Sequence, residues 1–226
     1  MKFTDLNLSE DIQSAVVAAG FEQPSPIQEL TIPLALEGKD VIGQAQTGTG
    51  KTAAFGLPLI NNLTVKNAIG SIILAPTREL AIQVHDELVK LTKYEKLNIV
   101  AVYGGAPIHI QARDLKKANI VVGTPGRVLD HIRRGNLPLS CVEFLVLDEA
   151  DEMLNMGFID DMEEIMKSIP EERQTMLFSA TMPPQIKKLS KKYLKEDAKH
   201  VAIARKELTG STITQNYFEV NGSQRL

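Results

Sequence analysis

The segment AQTGTGKT, Ala45 to Thr52, sets a lysine and a hydroxyl directly behind two glycines. That is the chemistry of a phosphate-binding loop. Gly48 and Gly50 let backbone N–H groups curl around phosphate oxygens, and a helix starting there aims its positive end at them. Lys51 would reach the β- and γ-phosphates of a nucleoside triphosphate, and Thr52 would place its hydroxyl on Mg²⁺. Gln46, Thr47 and Thr49 complete the loop as nucleotide-binding candidates. The general pattern has glycine where this chain has Ala45, but alanine needs only backbone angles open to any L-residue. A glycine-rich turn with a coincidental lysine would look the same in isolation. Here an apolar run, DVIGQA, precedes the loop and a helical segment, KTAAFGLPLI, follows it.

A second constellation lies at VEFLVLDEAD, where a buried-type strand delivers acids at its end. Asp148 would hold the metal through water, because Mg²⁺ keeps several of its waters. Glu149 is placed to orient and deprotonate an attacking water. Acids also favour the first turn of any helix. The phosphate loop elsewhere in the chain is what tips the reading toward metal and base.

Groups so far apart in sequence must be brought together by a scaffold. Seven apolar runs recur: DVIGQA, SIILAP, NIVAVYGG, NIVVGTP, VEFLVLDEAD, RQTMLFSAT and HVAIA. They lack polar alternation, as strands buried on both faces do. Amphipathic helical stretches separate them, among them TRELAIQVHDELVKLTKY, with Leu80, Val84, Leu88 and Leu91 on one stripe. The alternation predicts an α/β fold with a mostly parallel central sheet and helices on both faces. QTGTGKT, PTREL, YGG, TPGR, DEAD and SAT all fall at or just after a strand's C-terminal end, the edge where such sheets form their ligand crevice. Two helices precede the first strand, one capped by Ser9 and ending at Gly20, the other running from about Pro26 to Gly38. The expected division is a leading segment over 1–38, a nucleotide-binding core over 39–205, and a linker with the truncated start of another domain over 206–226.

Composition limits the partners. A net charge of −3 over 226 residues argues against tail-driven, histone-like binding, so a polyanion would have to be held by a local patch and backbone donors. The single cysteine, Cys141, excludes an internal disulfide and a cysteine-based zinc site, and its place before VEFLVL predicts a core residue. No apolar run approaches the roughly 20 residues of a membrane span, and the acidic N-terminus does not read as a signal peptide, so a cytoplasmic location is expected. His85, His109, His131 and His200 lack metal-ligand spacing and receive no role. Lys187, Lys188, Lys191, Lys192 and Lys195 read as a solvated helix face, and Met153, Met156, Met162 and Met166 as helix-to-sheet packing.

Taken in order, GFEQPSPIQ, AQTGTGKT, PTREL, GG, TPGR, DEAD and SAT make the chain resemble the first RecA-like domain of a DEAD-box RNA helicase, from Phe3 to about residue 205. The resemblance implies a P-loop nucleoside-triphosphatase domain using ATP and Mg²⁺, with Ala45 as that family's form of the loop. It implies that Gln28 reads the adenine edge, since a carboxamide both donates and accepts, and that Phe3 stacks on the base. Ser179 and Thr181 would couple the nucleotide site to RNA through Asp151. Thr77, Arg78, Gly104, Gly105, Thr124 and Arg127 would contact RNA phosphates, which positions a strand without reading its sequence. Taken singly, PTREL and TPGR could also be plain helix starts. The family's remaining motifs belong to a second RecA-like domain that this sequence does not match. The chain, a monomer, is therefore expected to bind nucleotide, to bind RNA weakly and to turn over little. Two other readings stay open, another P-loop nucleic-acid motor and a non-catalytic, nucleotide-gated binding module.

Overall fold

The computed structural model describes residues 1–203; the linker and strand expected beyond residue 205 lie outside the described residues. Seven strands form one sheet: β1 (Val41–Gln44), β2 (Ser71–Leu74), β3 (Ile99–Val102), β4 (Ile120–Gly123), β5 (Phe144–Leu147), β6 (Gln174–Ser179) and β7 (Lys199–Ala202). Their order is β3-β4-β2-β5-β6-β1-β7, and every pairing is parallel. All seven apolar runs of the sequence are therefore strands.

Side chains alternate across the pleat, so each inner strand feeds two cores. Ile73, Val122, Val146 and Phe178 enter one, beneath α1 (Glu10–Ala18), α2 (Pro26–Leu36), α3 (Lys51–Asn62) and α4 (Arg78–Leu91). Leu74, Val121, Leu145 and Leu177 enter the other, covered by α5 (Ile108–Leu115), α6 (Pro125–Arg133), α7 (Ala150–Asn155), α8 (Ile159–Ser168) and α9 (Pro184–Tyr193). Local signals start the helices. The Ser9 hydroxyl accepts the Ile12 N–H at 3.4 Å, the Thr77 hydroxyl accepts the Leu80 N–H at 3.2 Å, and prolines open α2, α6 and α9. In α4 the buried stripe is Ala81, Val84, Leu88 and Leu91, with Leu80 half-buried beside it.

The strand order sorts the loops. β5, β6 and β1 are neighbours, so DEAD, SAT and the phosphate loop emerge side by side. β3, β4 and β2 are neighbours too, so GG, TPGR and PTREL form a second group, joined to the first where β2 pairs with β5.

Some expectations need correction. Cys141 is exposed, because the turn before β5 buries Leu139 and Val142 and leaves the residues between them outside. Met153, Met162 and Met166 are buried, but Met156, at the C-terminal cap of α7, is 47% exposed. The sequence reading also lacked α5, α7 and a short 3₁₀ turn at Phe3–Asp5. α5 and α7 run only 8 and 6 residues, and α5 buries only Gln111 and Leu115, too little for periodicity to show. The lysines of α9 are exposed, and Lys192 pairs with Glu163 at 2.6 Å. Among the described residues no helix is long and apolar enough to cross a membrane.

Candidate functional site

The phosphate loop leaves β1 along β6, with the Ala45 N–H donating to the Ser179 carbonyl at 3.1 Å. It ends at Gly50, the N-cap of α3, with φ 87°. A Cβ there would lie 2.4 Å from Gln28 Nε2, so both conformation and space require glycine. Gln28 is the reason the space is filled. Its Nε2 donates to the Gly50 carbonyl at 2.9 Å, while its Oε1 accepts the Ser25 N–H at 2.9 Å. The Ser25 hydroxyl in turn donates to the Thr49 carbonyl at 2.8 Å, and the Thr49 hydroxyl donates to the Gln46 carbonyl at 2.8 Å. The start of α2 thus braces the loop from beneath.

Above it lies a cavity of about 240 Å³. Thr47, Gly48, Gly50, Lys51 and Thr52 line one side, Asp148 and Glu149 another, and Leu80, Gln83 and Glu87 of α4 close it. Lys51 Nζ sits 3.8 Å from both Asp148 Oδ1 and Glu149 Oε1, and its side chain is only 5% exposed. Among the described residues, Lys51 Nζ and Asp148 Oδ1 are buried without a hydrogen-bond partner. Buried charges left so are costly, so the arrangement suits an arriving ligand rather than the resting fold. Burial pushes the Asp148 carboxyl up to about 6, with Lys51 opposing and Glu149 adding to the rise. Burial also raises Glu87, against a hydrogen bond from Thr52 and the charge of Lys90.

Glu149, the N-cap of α7, has φ 51° and ψ 52° and is the only non-glycine among the described residues with positive φ. Such a conformation costs on the order of 1–3 kcal/mol and survives only where the surroundings enforce it. Here it turns the carboxylate into the cavity, where Oε1 accepts the Thr47 hydroxyl at 2.7 Å. Among the described residues no three His, Cys, Asp or Glu side chains are arranged to hold a metal by themselves. The orphaned Asp148 oxygen, lining the same cavity as Thr52, fits instead a hard cation that takes few protein oxygens and the rest from phosphate and water.

β6 lies between the two acid-bearing and phosphate-bearing ends and ties them. Asp151 Oδ2 accepts both the backbone N–H and the hydroxyl of Thr181, each at 2.8 Å. The Ser179 hydroxyl accepts the Asp151 N–H at 3.2 Å and donates to the Thr181 carbonyl at 2.6 Å. Burial works to raise the Asp151 carboxyl, but these hydrogen bonds outweigh it and hold it low.

On the second group of loops, the Arg78 guanidinium lies 4.8 Å over the Tyr103 ring. Gly105 has φ 80°, and the space beside Gly104 is open. Arg127 Nη1 donates to the Ala106 carbonyl and to Gln111 Oε1, each at 2.9 Å. Thr77 spends its hydroxyl capping α4, whereas Thr124, the N-cap of α6, leaves its hydroxyl out of the cap.

Phe3 stands apart from both groups. It is 5% exposed and packs edge-on against Phe21, with ring centroids 5.9 Å apart, beside a separate, largely apolar cavity of about 690 Å³. The larger cavity holds none of the loop residues, and we place the chemistry in the smaller one, where the charged groups converge. Phe3 lines that larger cavity and not the one above the phosphate loop.

Sequence reasoning missed Glu87 and Gln83, whose spacing of four on α4 was the available signal. It also missed Gln111, Tyr103 and His131. The His131 side chain is fully buried, and burial first, then Arg127, lowers its pKa.

A parallel sheet with a phosphate loop after β1 and an acid pair after β5 defines a RecA-like P-loop domain. The chain belongs to the DEAD/DEAH box helicase family, whose model matches residues 25–189. It is 55% identical over 226 residues to the ATP-dependent RNA helicase CshA of Listeria monocytogenes, taking in 99% of this chain and 43% of that protein. The DEAD-box ATP-dependent RNA helicase CshA of Geobacillus kaustophilus is 51% identical over 225 residues, 99% of this chain and 48% of that protein. The chain thus spans less than half the length of these relatives. Among solved structures, a DEAD box protein from the hyperthermophile Methanococcus jannaschii superposes with a TM-score of 0.87 at 51% identity, over 89% of this chain and 56% of that one. A hypothetical ATP-dependent RNA helicase from Sulfolobus tokodaii gives a TM-score of 0.81 at 38% identity, over 87% and 57%.

Proposed function

We propose that this chain is the ATP- and RNA-binding half of an ATP-dependent RNA helicase, completed by a second RecA-like domain. The observation that carries the reading is the buried pair Lys51 and Asp148, 3.8 Å apart in the phosphate-loop cavity, with Nζ and Oδ1 free of hydrogen bonds among the described residues. In this reading the loop amides of residues 46–52 and Lys51 hold the triphosphate. Thr52 and Asp148 would hold Mg²⁺, which supplies charge neutralisation at the phosphates. Glu149 orients water and takes its proton. Asp151, Ser179 and Thr181 pass the state of this cavity to the second group of loops, where Thr77, Arg78, Gly104, Gly105, Thr124 and Arg127 meet an RNA backbone. The cavity is smaller than the roughly 300–1,000 Å³ of pockets that enclose a whole ligand, which supports a site finished by another surface. The corresponding domains are 1–38 as the lead-in, 39–205 as the nucleotide-binding core and 206–226 as the start of the connection onward. A cytoplasmic setting belongs to the same reading.

ATP turnover tests it. The chain alone, with or without single-stranded RNA, should turn over very little. Adding a separately expressed second helicase domain together with RNA should raise the rate by about 10³-fold or more, the scale of an arginine supplied in trans. Strong turnover by the chain alone would show that it carries its own transition-state cation and would sink the half-site reading.

Gln28 gives a second test. Gln28→Ala removes a carboxamide that braces Gly50 and Ser25. It should lower the preference for adenine over guanine nucleotides and lower stability by about 1 kcal/mol through the lost helix cap. Competition between ATP and GTP for the site measures the first effect, and an unchanged preference would place base recognition elsewhere.

A further inference from the structure

Gln111 on α5 occupies a position that no motif marks. Its side chain is buried, and both ends of the carboxamide are used. Nε2 donates to the Tyr103 carbonyl at 3.1 Å, at the head of the Gly104–Gly105 loop. Oε1 accepts Arg127 Nη1 at 2.9 Å and lies 3.1 Å from His131 Nε2. The other imidazole nitrogen faces Asn136 Nδ2 at 3.4 Å. An amide nitrogen can only donate, so Nδ1 accepts and Nε2 carries the proton toward Gln111. Every bond in the chain then has a donor and an acceptor, and the two lone pairs of Oε1 are filled.

The Arg127 amine that reaches Gln111 also reaches the Ala106 carbonyl, so one guanidinium and one carboxamide join the loop after β3 to the start of α6. On the other side of the loop, the Tyr103 ring carries the Arg78 guanidinium. Arg127 and the loop that carries Gly104 and Gly105 thus meet at one buried amide, and Arg78 stacks on the far side of that loop. A merely satisfied core glutamine would serve its own helix; this one bonds two other segments, the loop after β3 and α6, each bearing residues of the proposed RNA surface.

Resting on the proposed function, we propose that Gln111 is a positioning residue for RNA binding, acting through Arg127 and the Tyr103–Ala106 loop. His131 and Asn136 orient it from beneath. It touches no phosphate itself.

The test uses Gln111→Met, which keeps the volume and removes the hydrogen bonds, together with Arg127→Ala and the double variant. Amide hydrogen exchange is followed over 103–106 and 124–128, and affinity for a labelled single-stranded oligouridylate is titrated at several salt concentrations. Retained nucleotide affinity certifies the fold. Gln111→Met should speed exchange in both segments about tenfold and weaken RNA binding about tenfold, the effect of one interaction of about 1.4 kcal/mol. It should also lower the salt slope by about one phosphate contact. In the Arg127→Ala background the same change should add little, since the two act as a unit. Gln111→Glu, which keeps the acceptor for Arg127, should recover part of the loss. Unchanged exchange, or full additivity with Arg127→Ala, overturns the inference. If Gln111→Met speeds exchange while the wild-type chain itself binds no RNA and Arg78→Ala changes nothing, the RNA reading itself is overturned, which identifies which of the two failed.

Discussion

Lys51→Ala should weaken binding of the nucleoside triphosphate about 100-fold. Lys51 is the one cationic side chain lining the phosphate-loop cavity, and its Nζ has no hydrogen-bond partner within the described residues. Two charge-assisted hydrogen bonds to phosphate, at roughly 1.5 kcal/mol each, account for that factor. Equilibrium titration with a fluorescent ATP analogue checks it, and unchanged affinity would refute the loop's role. The variant should also show an altered stability profile with pH. The Asp148 carboxyl is raised in the folded state to about 6, against about 3.9 for an ordinary aspartate. The fold therefore favours the protonated form: that contribution is full below about pH 4 and is lost as pH rises through about 6. Lys51 opposes the rise. Its removal should push the window upward and make the ligand-free chain relatively less stable at neutral pH than in mild acid.

Glu149→Gln, assayed with the second domain supplied, should bind ATP normally and hydrolyse it about 10²–10⁴-fold more slowly, the range attributed to a general base. The amide is the same shape and can still accept the Thr47 hydroxyl, but it cannot take a proton from water. The left-handed backbone at residue 149 is set by its neighbours and should persist. Single-turnover hydrolysis under saturating ATP isolates the step. A normal rate would remove Glu149 as the base, and a lost rate accompanied by lost affinity would make it a binding group instead.

Much of this architecture was legible because its signals are local. Each strand announces itself as an apolar run, and Ser9, Thr77 and the prolines of α2, α6 and α9 mark helix starts within a few residues of the sequence. The phosphate loop and the DEAD acids carry their chemistry in their own order. What stayed hidden depends on partners distant in the chain. Cys141 and Met156 look apolar in sequence, yet one sits in the turn before β5 and the other at the C-terminal cap of α7, both exposed. Phe3 packs edge-on against Phe21, a partner 18 residues away that no local pattern names.

By itself the sequence determined the seven strands, the residues at their C-terminal ends and the class of chemistry those residues can do, since periodicity and motif spacing act over a few residues. Only the tertiary structure decided which ends are neighbours. The order β5-β6-β1 lays SAT between the acids and the phosphate loop, and β3-β4-β2 gathers the second group of loops. It also decided that Gln28 braces Gly50, that Glu87 closes the cavity and that Gln111 joins Tyr103 to Arg127. The physical reason is that a buried polar side chain must find its partners wherever the packed sheet brings them, 16 residues away for Gln111 and Arg127 and 22 for Gln28 and Gly50. No pattern along the chain specifies that meeting.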